Sequence, residues 1–97
     1  MNLRYRFKAS FEKKYRRLSG QDQTLVLKTV EAIQLSMQKG VSAHGLGLKK
    51  LFSDPEGGVY EARAGLSLRI LWLKKNDLVV FAFIGDHSEV RKYLKNF

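Results

Sequence analysis

The stretch "LSLRILWLKKNDLVVFAFIGDHSEV", residues 66–90, contains two apolar runs separated by a polar turn. The first run alternates, with Leu66, Leu68, Ile70 and Trp72 on one side and Ser67, Arg69, Leu71 and Leu73 on the other. A period of two residues predicts a β-strand with one face toward a core. The second run, residues 78–85, predicts another strand, and the tight Lys-Lys-Asn-Asp turn joins the two as a hairpin. The rest of the fold must therefore be built on a sheet.

Two further segments upstream predict strands of the same sheet. "VYEARAG", residues 59–65, leads directly into the hairpin. "LRYRFK", residues 3–8, alternates Leu3, Tyr5 and Phe7 with basic residues, as expected for a strand with one buried face and one basic face.

Between these strands the sequence predicts two helices. Ser10 is positioned to cap a short helix through "FEKKYRRL", residues 11–18. Ser19 and Asp22 form a capping-box pattern that opens a longer helix, which Gly40 ends. The apolar residues of the longer helix recur at helical spacing and predict core contacts rather than a partner-binding stripe; they are Val26, Val30, Ile33 and Met37.

Residues 40–58 contain glycines, Pro55 and an Asp-Pro-Glu-Gly-Gly turn signal, and they predict a loop interrupted by the basic "LKKLF". A last short helix is predicted in "SEVRKYLKN", residues 88–96, with Asp86 or Ser88 as its cap. The expected fold class is α+β, a small, antiparallel-rich four-stranded sheet with two N-terminal helices packed on one face and a short C-terminal helix. Residues 1–97 are expected to form a single domain.

Composition restricts the chemistry. The 97 residues include no cysteine and two histidines, so disulfides, thiolate metal sites and a cysteine nucleophile are excluded, and no metal or cofactor is expected. The N-terminal alternation lacks the apolar segment of a signal peptide, and no run approaches the roughly 20 apolar residues of a membrane span. We therefore expect a cytoplasmic protein that does not bind a membrane.

Charge indicates the class of partner. Eighteen Lys and Arg against nine Asp and Glu give a formal net charge of +9, which favours polyanionic partners, although a basic surface that only maintains solubility is the alternative. Cations cluster in the first 20 residues, where Glu12 is the single acid. The candidate RNA-binding residues in this cluster are Lys13, Lys14, Arg16 and Arg17.

A second group of cations follows the predicted sheet. If the helices cover one face, the other face displays Arg63 and Arg69, with His87 at the end of the last strand. Arg69 lies among apolar neighbours, where a guanidinium must either find an anion or bear a large desolvation cost. An unperturbed histidine has a pKa of about 6.5 and can supply a proton near neutrality, while arginine stabilises an anionic phosphorane. The set suits cleavage of RNA by its own 2′-hydroxyl.

Simpler interpretations of the same residues remain. His87 can be an ordinary turn residue, and Arg63 a surface residue paired with Glu61 or Asp54. His44, in a glycine-flanked loop, is expected to have no chemical role.

The order of these segments resembles the RelE/ParE superfamily of bacterial toxins from toxin–antitoxin systems. The resemblance covers nearly the whole chain. It rests on "LKKLF" ahead of the sheet, on "VYEARAG" and "LRILW" in successive strands, and on "GDHSEV" at the end. It implies the activity of the RelE branch, whose members are ribosome-dependent endoribonucleases that cut mRNA in the decoding site.

The resemblance also implies roles for single residues. Arg69 matches the arginine that contacts the scissile phosphate, and Arg63 matches a basic residue of the preceding strand. His87 matches the general acid of several branches. Lys49 matches a lysine of the basic loop, and with its neighbour Lys50 it is expected to bind RNA.

Two positions depart from the family pattern or stay unassigned. Similar members often place an aromatic residue where this chain has Arg91, and the nearest aromatic residue is Tyr93. Arg91 is instead expected to bind RNA, by stacking on a base or by contacting phosphate. The general base is open, and Glu61 is a candidate for it.

The resemblance leaves two alternatives to RNA cleavage. The ParE branch poisons DNA gyrase without cutting RNA, and a degenerate member would only bind its antitoxin. The expected partners are a cognate antitoxin with an acidic or amphipathic segment, together with the ribosome and mRNA. A toxin–antitoxin hetero-oligomer is expected.

Overall fold

The computed structural model describes residues 2–40 and 46–96, so His44 lies outside the described residues. The elements in chain order are β1 (Arg4–Phe7), α1 (Ala9–Arg16), α2 (Gly20–Lys39), β2 (Lys49–Asp54), β3 (Gly57–Ala64), β4 (Leu68–Lys75), β5 (Leu78–Gly85) and α3 (His87–Lys95). The strands form one sheet in the order β1-β5-β4-β3-β2. The pair β1–β5 is parallel, and the other pairs are antiparallel.

The described part of the sheet has five strands, so the prediction of four was wrong. The basic segment assigned to the loop forms β2 and pairs with β3 across a short turn at Pro55 and Glu56. Gly57 and Gly58, two of the glycines that suggested a loop, are strand residues at close backbone approaches. A Cβ on Gly57 would collide with the carbonyl oxygen of Lys74, and one on Gly58 would collide with the carbonyl oxygen of Phe52.

The parallel strand β1 brings the two ends of the chain together. Phe7 lies opposite Phe81 of β5, and their rings stack with centroids 4.9 Å apart. At the start of β1, the Arg4 guanidinium binds both carboxylate oxygens of Asp77, at 3.0 and 3.2 Å. The hydrogen bond from Arg4 lowers the pKa of Asp77.

The predicted helix ends are confirmed for α2. The Ser19 side chain accepts a hydrogen bond from the backbone N–H of Asp22, and Gly40 ends the helix with a φ of 71°. The short helix predicted after Ser10 is present as α1, but the prediction that Ser10 caps it was wrong, because the helix begins at Ala9 and Lys8 occupies the N-cap without a side-chain bond. Ser10 instead donates its hydroxyl to the carbonyl oxygen of Ala82 at 2.6 Å and so fastens α1 beside β5.

The core lies between α1, α2 and one face of the sheet. The helices contribute Phe11, Val26, Val30 and Ile33, and the strands contribute Ala62, Ala64, Ile70, Trp72, Val79, Phe81 and Ile84. These residues alternate along the strands with the residues of the opposite face, as the sequence pattern predicted. Within the described residues, no helix is long and apolar enough to cross a membrane.

A β-bulge in β5 changes the alternation near its end. Leu71 pairs with Phe83 while its neighbour Trp72 pairs with Phe81, so Ala82 is an extra residue on β5. Phe81 therefore faces the helices, whereas Phe83 faces the opposite side of the sheet. Tyr93 of α3 stacks on Phe83 with ring centroids 4.5 Å apart, so α3 covers part of this second face.

Candidate active site

Two arginines face each other on the second face of the sheet. Arg63 of β3 lies directly opposite Arg69 of β4, and Arg69 lies opposite Gly85 of β5. Directly opposed residues of antiparallel strands place their side chains on the same face, with Cα atoms about 4.5–5.5 Å apart. Opposed like charges are unfavourable in a sheet, so this pair needs a compensating anion or ligand.

Glu61 supplies a carboxylate next to the two arginines. Its Oε2 lies 3.8 Å from Nη1 of Arg69, and only 9% of the Glu61 side chain is exposed. The prediction that Arg69 must find an anion is therefore confirmed. Glu61 also lies directly opposite Lys49 of β2 in the strand register.

Arg63 is held by the segment that precedes β2. A Cβ on Gly47 would lie 2.6 Å from Nε of Arg63, so the guanidinium rests against a backbone without a side chain. Gly47 has a φ of +59°, which also favours glycine. The backbone N–H of Arg63 donates to the carbonyl oxygen of Leu46 at 2.8 Å. Arg63 remains exposed and can reach a ligand on this face.

Lys49 and Lys50, which were both predicted to bind RNA, lie on opposite faces of the sheet. In the strand register, Lys49 lies opposite Glu61 and on the same face as the two arginines, whereas Lys50 lies opposite Tyr60. The Lys50 Nζ lies 5.6 Å from the centroid of the Tyr60 ring, a cation–π contact on the side of the core. Strand alternation separates the lysines, and it was missed because β2 was predicted as loop.

His87 is the first residue of α3, two positions after Gly85 and therefore at the same end of the sheet as the arginine pair. Its position is set by a capping box that confirms Asp86 as the cap. The Asp86 side chain accepts from the N–H of Glu89, and the Glu89 side chain accepts from the N–H of Asp86. His87 is exposed and open to a ligand.

Arg91 lies one helical turn after His87, on the same side of α3. It is exposed, whereas Tyr93 is half-buried against Phe83. Tyr93 therefore stabilises the contact between α3 and the sheet.

The basic residues of α1 and of its C-cap, Arg17, divide into two groups. Lys13, Arg16 and Arg17 are exposed. Lys14 instead binds Oε2 of Glu89 at 2.6 Å and lies 5.5 Å from the centroid of the Phe83 ring. Glu89 thus joins α1 to the start of α3, and the hydrogen bond from Lys14 lowers the pKa of its carboxyl. The sequence did not predict this link. Its one signal was an acid, Glu89, at position N3 of α3, where a capping box places a carboxylate.

The residues on this face are of types that bind phosphate in proteins. Arg63 and Arg69 carry planar donors, Lys49 adds a cation, and His87 adds an imidazole at the same end of the sheet. In the part of the chain that the structure describes, no group of three or more histidine or acidic side chains converges to hold a metal ion.

No protein-family model matches the sequence, and no curated protein matches it. Solved structures do share its fold. The archaeal RelE–RelB complex from Pyrococcus horikoshii OT3 contains a chain with a TM-score of 0.72 and 16% identity, and the match covers 91% of this protein and 98% of that chain. The YoeB dimer from Staphylococcus aureus matches with a TM-score of 0.65 and 18% identity over 90% and 99% of the two chains.

YafQ from E. coli strain BL21(DE3) matches with a TM-score of 0.62 and 11% identity, over 92% of this protein and 98% of that chain. These likenesses extend over almost the full length of each chain. The protein therefore has the fold of the RelE-like toxins, as the resemblance in its sequence implied.

Proposed function

We propose that the protein is the toxin of a toxin–antitoxin system and cleaves mRNA held in the decoding site of the ribosome. One observation carries the proposal: Arg63 and Arg69 are opposed on one face, and His87 begins a helix at the same end of the sheet. The neighbours of the same fold support the class, and the roles of the residues rest on their geometry and chemistry.

Each group has a step in this reaction. The 2′-oxygen forms a bond to phosphorus and the bond from phosphorus to the 5′-oxygen breaks, which leaves a 2′,3′-cyclic phosphate and a 5′-hydroxyl. Arg63 and Arg69 stabilise the negative charge that accumulates on the phosphoryl oxygens. His87 gives its proton to the departing 5′-oxygen, and the 2′-hydroxyl proton passes to water.

The site offers few groups that can transfer a proton, and this explains why we expect the enzyme to depend on the ribosome. Without a dedicated base, the enzyme relies on a substrate whose 2′-oxygen is already aligned with the phosphorus atom. Such alignment can lower the activation barrier by about 7–11 kcal/mol. mRNA in the decoding site is held in one conformation, so we expect weak cleavage of free RNA.

The proposed partners are the ribosome with its mRNA and an antitoxin. The chain of P. horikoshii with this fold was solved in a RelE–RelB complex, and the S. aureus YoeB is also known in a YoeB–YefM complex. An acidic or amphipathic antitoxin segment would neutralise the net charge of +9 on this protein. A toxin–antitoxin hetero-oligomer that forms in the cytoplasm is part of the proposal.

The test is single-turnover cleavage of mRNA on programmed ribosomes. His87→Ala should slow the reaction by about 10²- to 10⁴-fold without loss of ribosome binding. A substrate with sulfur in place of the 5′-oxygen should be cut almost equally by both proteins, because a thiolate leaves without a proton. His44→Ala is the matched control and should cut at the unmutated rate.

Three outcomes would overturn the proposal. A His87→Ala protein that cuts the ordinary substrate at full rate would remove the general acid. If the unmutated protein, expressed without an antitoxin, left translation intact and stalled replication with cleaved gyrase complexes, it would be a gyrase poison like the ParE branch. Growth that is unaffected, with retained antitoxin binding, would identify a degenerate member.

A further inference from the structure

Glu61 is a buried carboxylate in the middle of the cationic face. It is the sole acidic residue among the strand residues of β3 and β4, and 7% of its surface is exposed. It lies opposite Lys49 on one side and opposite Leu71 on the other. A carboxylate in such a place is unfavourable unless a cation compensates it, so its presence needs a reason.

The geometry of its contact supplies that reason. The separation of 3.8 Å from Glu61 Oε2 to Arg69 Nη1 is too long for a hydrogen bond, so the contact is an ion pair. Glu61 lies diagonally across from Arg69, whereas Arg63 lies directly opposite it. The carboxylate therefore draws the Arg69 guanidinium toward β3 and offsets its repulsion by Arg63.

We propose that Glu61 is a positioning residue that fixes the Arg69 guanidinium for the scissile phosphate. The part played by the phosphate rests on the proposed function; the fixing of Arg69 does not. Glu61 is not the general base in this scheme. Its side chain is buried and engaged by a guanidinium, so it is not open to a 2′-hydroxyl, which must approach within about 2.6–3.2 Å of a base.

The pairing is tested first without any cleavage. The side-chain Nε–Hε signal of Arg69 is assigned by NMR from its loss in Arg69→Lys. In Glu61→Gln, which keeps the size and removes the charge, this signal should shift, and it should broaden because the released Nε–Hε proton exchanges faster with water. Glu61→Asp keeps the charge and should retain a narrower signal than Glu61→Gln.

Glu56→Gln is the matched control, because Glu56 pairs with Lys75 at 3.3 Å beyond the other end of the strands. That variant should leave the Arg69 signal unchanged. The backbone amide spectrum of each variant checks that the sheet is intact. An Arg69 signal that is the same in Glu61→Gln and Glu61→Asp as in the unmutated protein would overturn the proposal.

Cleavage on programmed ribosomes supplies the second measurement. Glu61→Gln should slow single-turnover cleavage by roughly 10- to 30-fold, less than the ~10²-fold effect of a 1 Å misplacement. Ribosome affinity should stay unchanged, Glu61→Asp should recover part of the rate, and the pH–rate profile should keep its shape.

Loss of the acid limb of that profile in Glu61→Gln, with a rate loss of about 10²- to 10⁴-fold, would make Glu61 the base and overturn the positioning role. If the unmutated protein cuts no RNA but the Arg69 signal still responds to Glu61→Gln, the pairing stands and the proposed nuclease fails. The two failures are therefore distinguishable.

Discussion

The two faces of the sheet carry different kinds of residue for different physical reasons. Toward α1 and α2, the strands present Trp72, Phe81 and Ile84, which are fully buried against one another. The other face combines a half-covered apolar region beside α3 with an acid and three cations at one end. The first face is accounted for by packing. The second contains opposed like charges that packing alone does not favour, and this difference makes it the candidate site.

The largest expected effect on stability comes from a substitution on the face toward α1 and α2. Trp72→Ala should lower the free energy of unfolding by about 3–5 kcal/mol, because it removes a large buried side chain and leaves a cavity. Leu73→Ala, one residue further and half-buried on the second face, should lower it by only about 1 kcal/mol. Urea denaturation of both variants measures the difference. Equal losses would show that the two faces contribute alike to stability.

The next effect separates stability from function on the second face. Arg69→Leu should destabilise the fold by roughly 1–3 kcal/mol, since it leaves the buried Glu61 carboxylate without its partner. Glu61→Leu in addition should recover most of this loss, because leucine suits both the buried position of Glu61 and the half-buried position of Arg69. Urea denaturation should show the recovery, while cleavage on ribosomes should remain lost. A double variant less stable than Arg69→Leu would mean that Glu61 stabilises the fold through contacts other than Arg69.

A smaller effect concerns the attachment of α3. Because Lys14 lowers the pKa of Glu89, this pair contributes stability that is present above the ordinary carboxyl pKa of 4.5 and is lost as pH falls through the lowered value. The pair is partly exposed, so its contribution is about 0.2–1 kcal/mol. Lys14→Met should remove the contribution at pH 7 and flatten the loss of stability below pH 4.5. Thermal unfolding from pH 3 to 7 tests this, with Lys13→Met as the control.

The smallest effect on folding is expected from the exposed cations of α1. Changing Lys13, Arg16 and Arg17 together to Gln should alter stability by less than about 0.5 kcal/mol each. If these residues contact ribosomal RNA, the slope of log affinity against log salt should fall by about two to three. Binding to ribosomes at several salt concentrations measures the slope. An unchanged slope would leave these residues as a solvated surface.

Sequence alone predicted most of the fold because the strands next to the core alternate regularly and Ser19 and Gly40 mark the ends of α2. β2 was missed because Gly57 and Gly58 gave the signal of a loop, although they serve close contacts between strands. Arg63 and Arg69 were predicted to share the uncovered face of the sheet, with His87 at the end of the last strand. The strand register places the two arginines opposite each other, and His87 begins α3 two residues after Gly85, which lies opposite Arg69.

Other features of the site depend on contacts between residues distant in the chain. Periodicity placed Glu61 near Arg63, but it does not give the diagonal contact with Arg69. The pairing of Lys14 with Glu89 joins residues 75 positions apart. The separation of Lys49 from Lys50 required knowing that both lie in a strand.

The parallel pairing of β1 with β5 has a consequence for how the protein forms. Strand β1 (Arg4–Phe7) pairs with Leu78–Phe81, so this contact closes a loop that contains most of the chain. Contacts so distant in sequence form slowly because the chain entropy is lost before the contact is gained. Until that closure, Phe7 and Phe11 lack the ring of Phe81. During synthesis, the N-terminal strand therefore cannot join the sheet until the segment just ahead of His87 has been made.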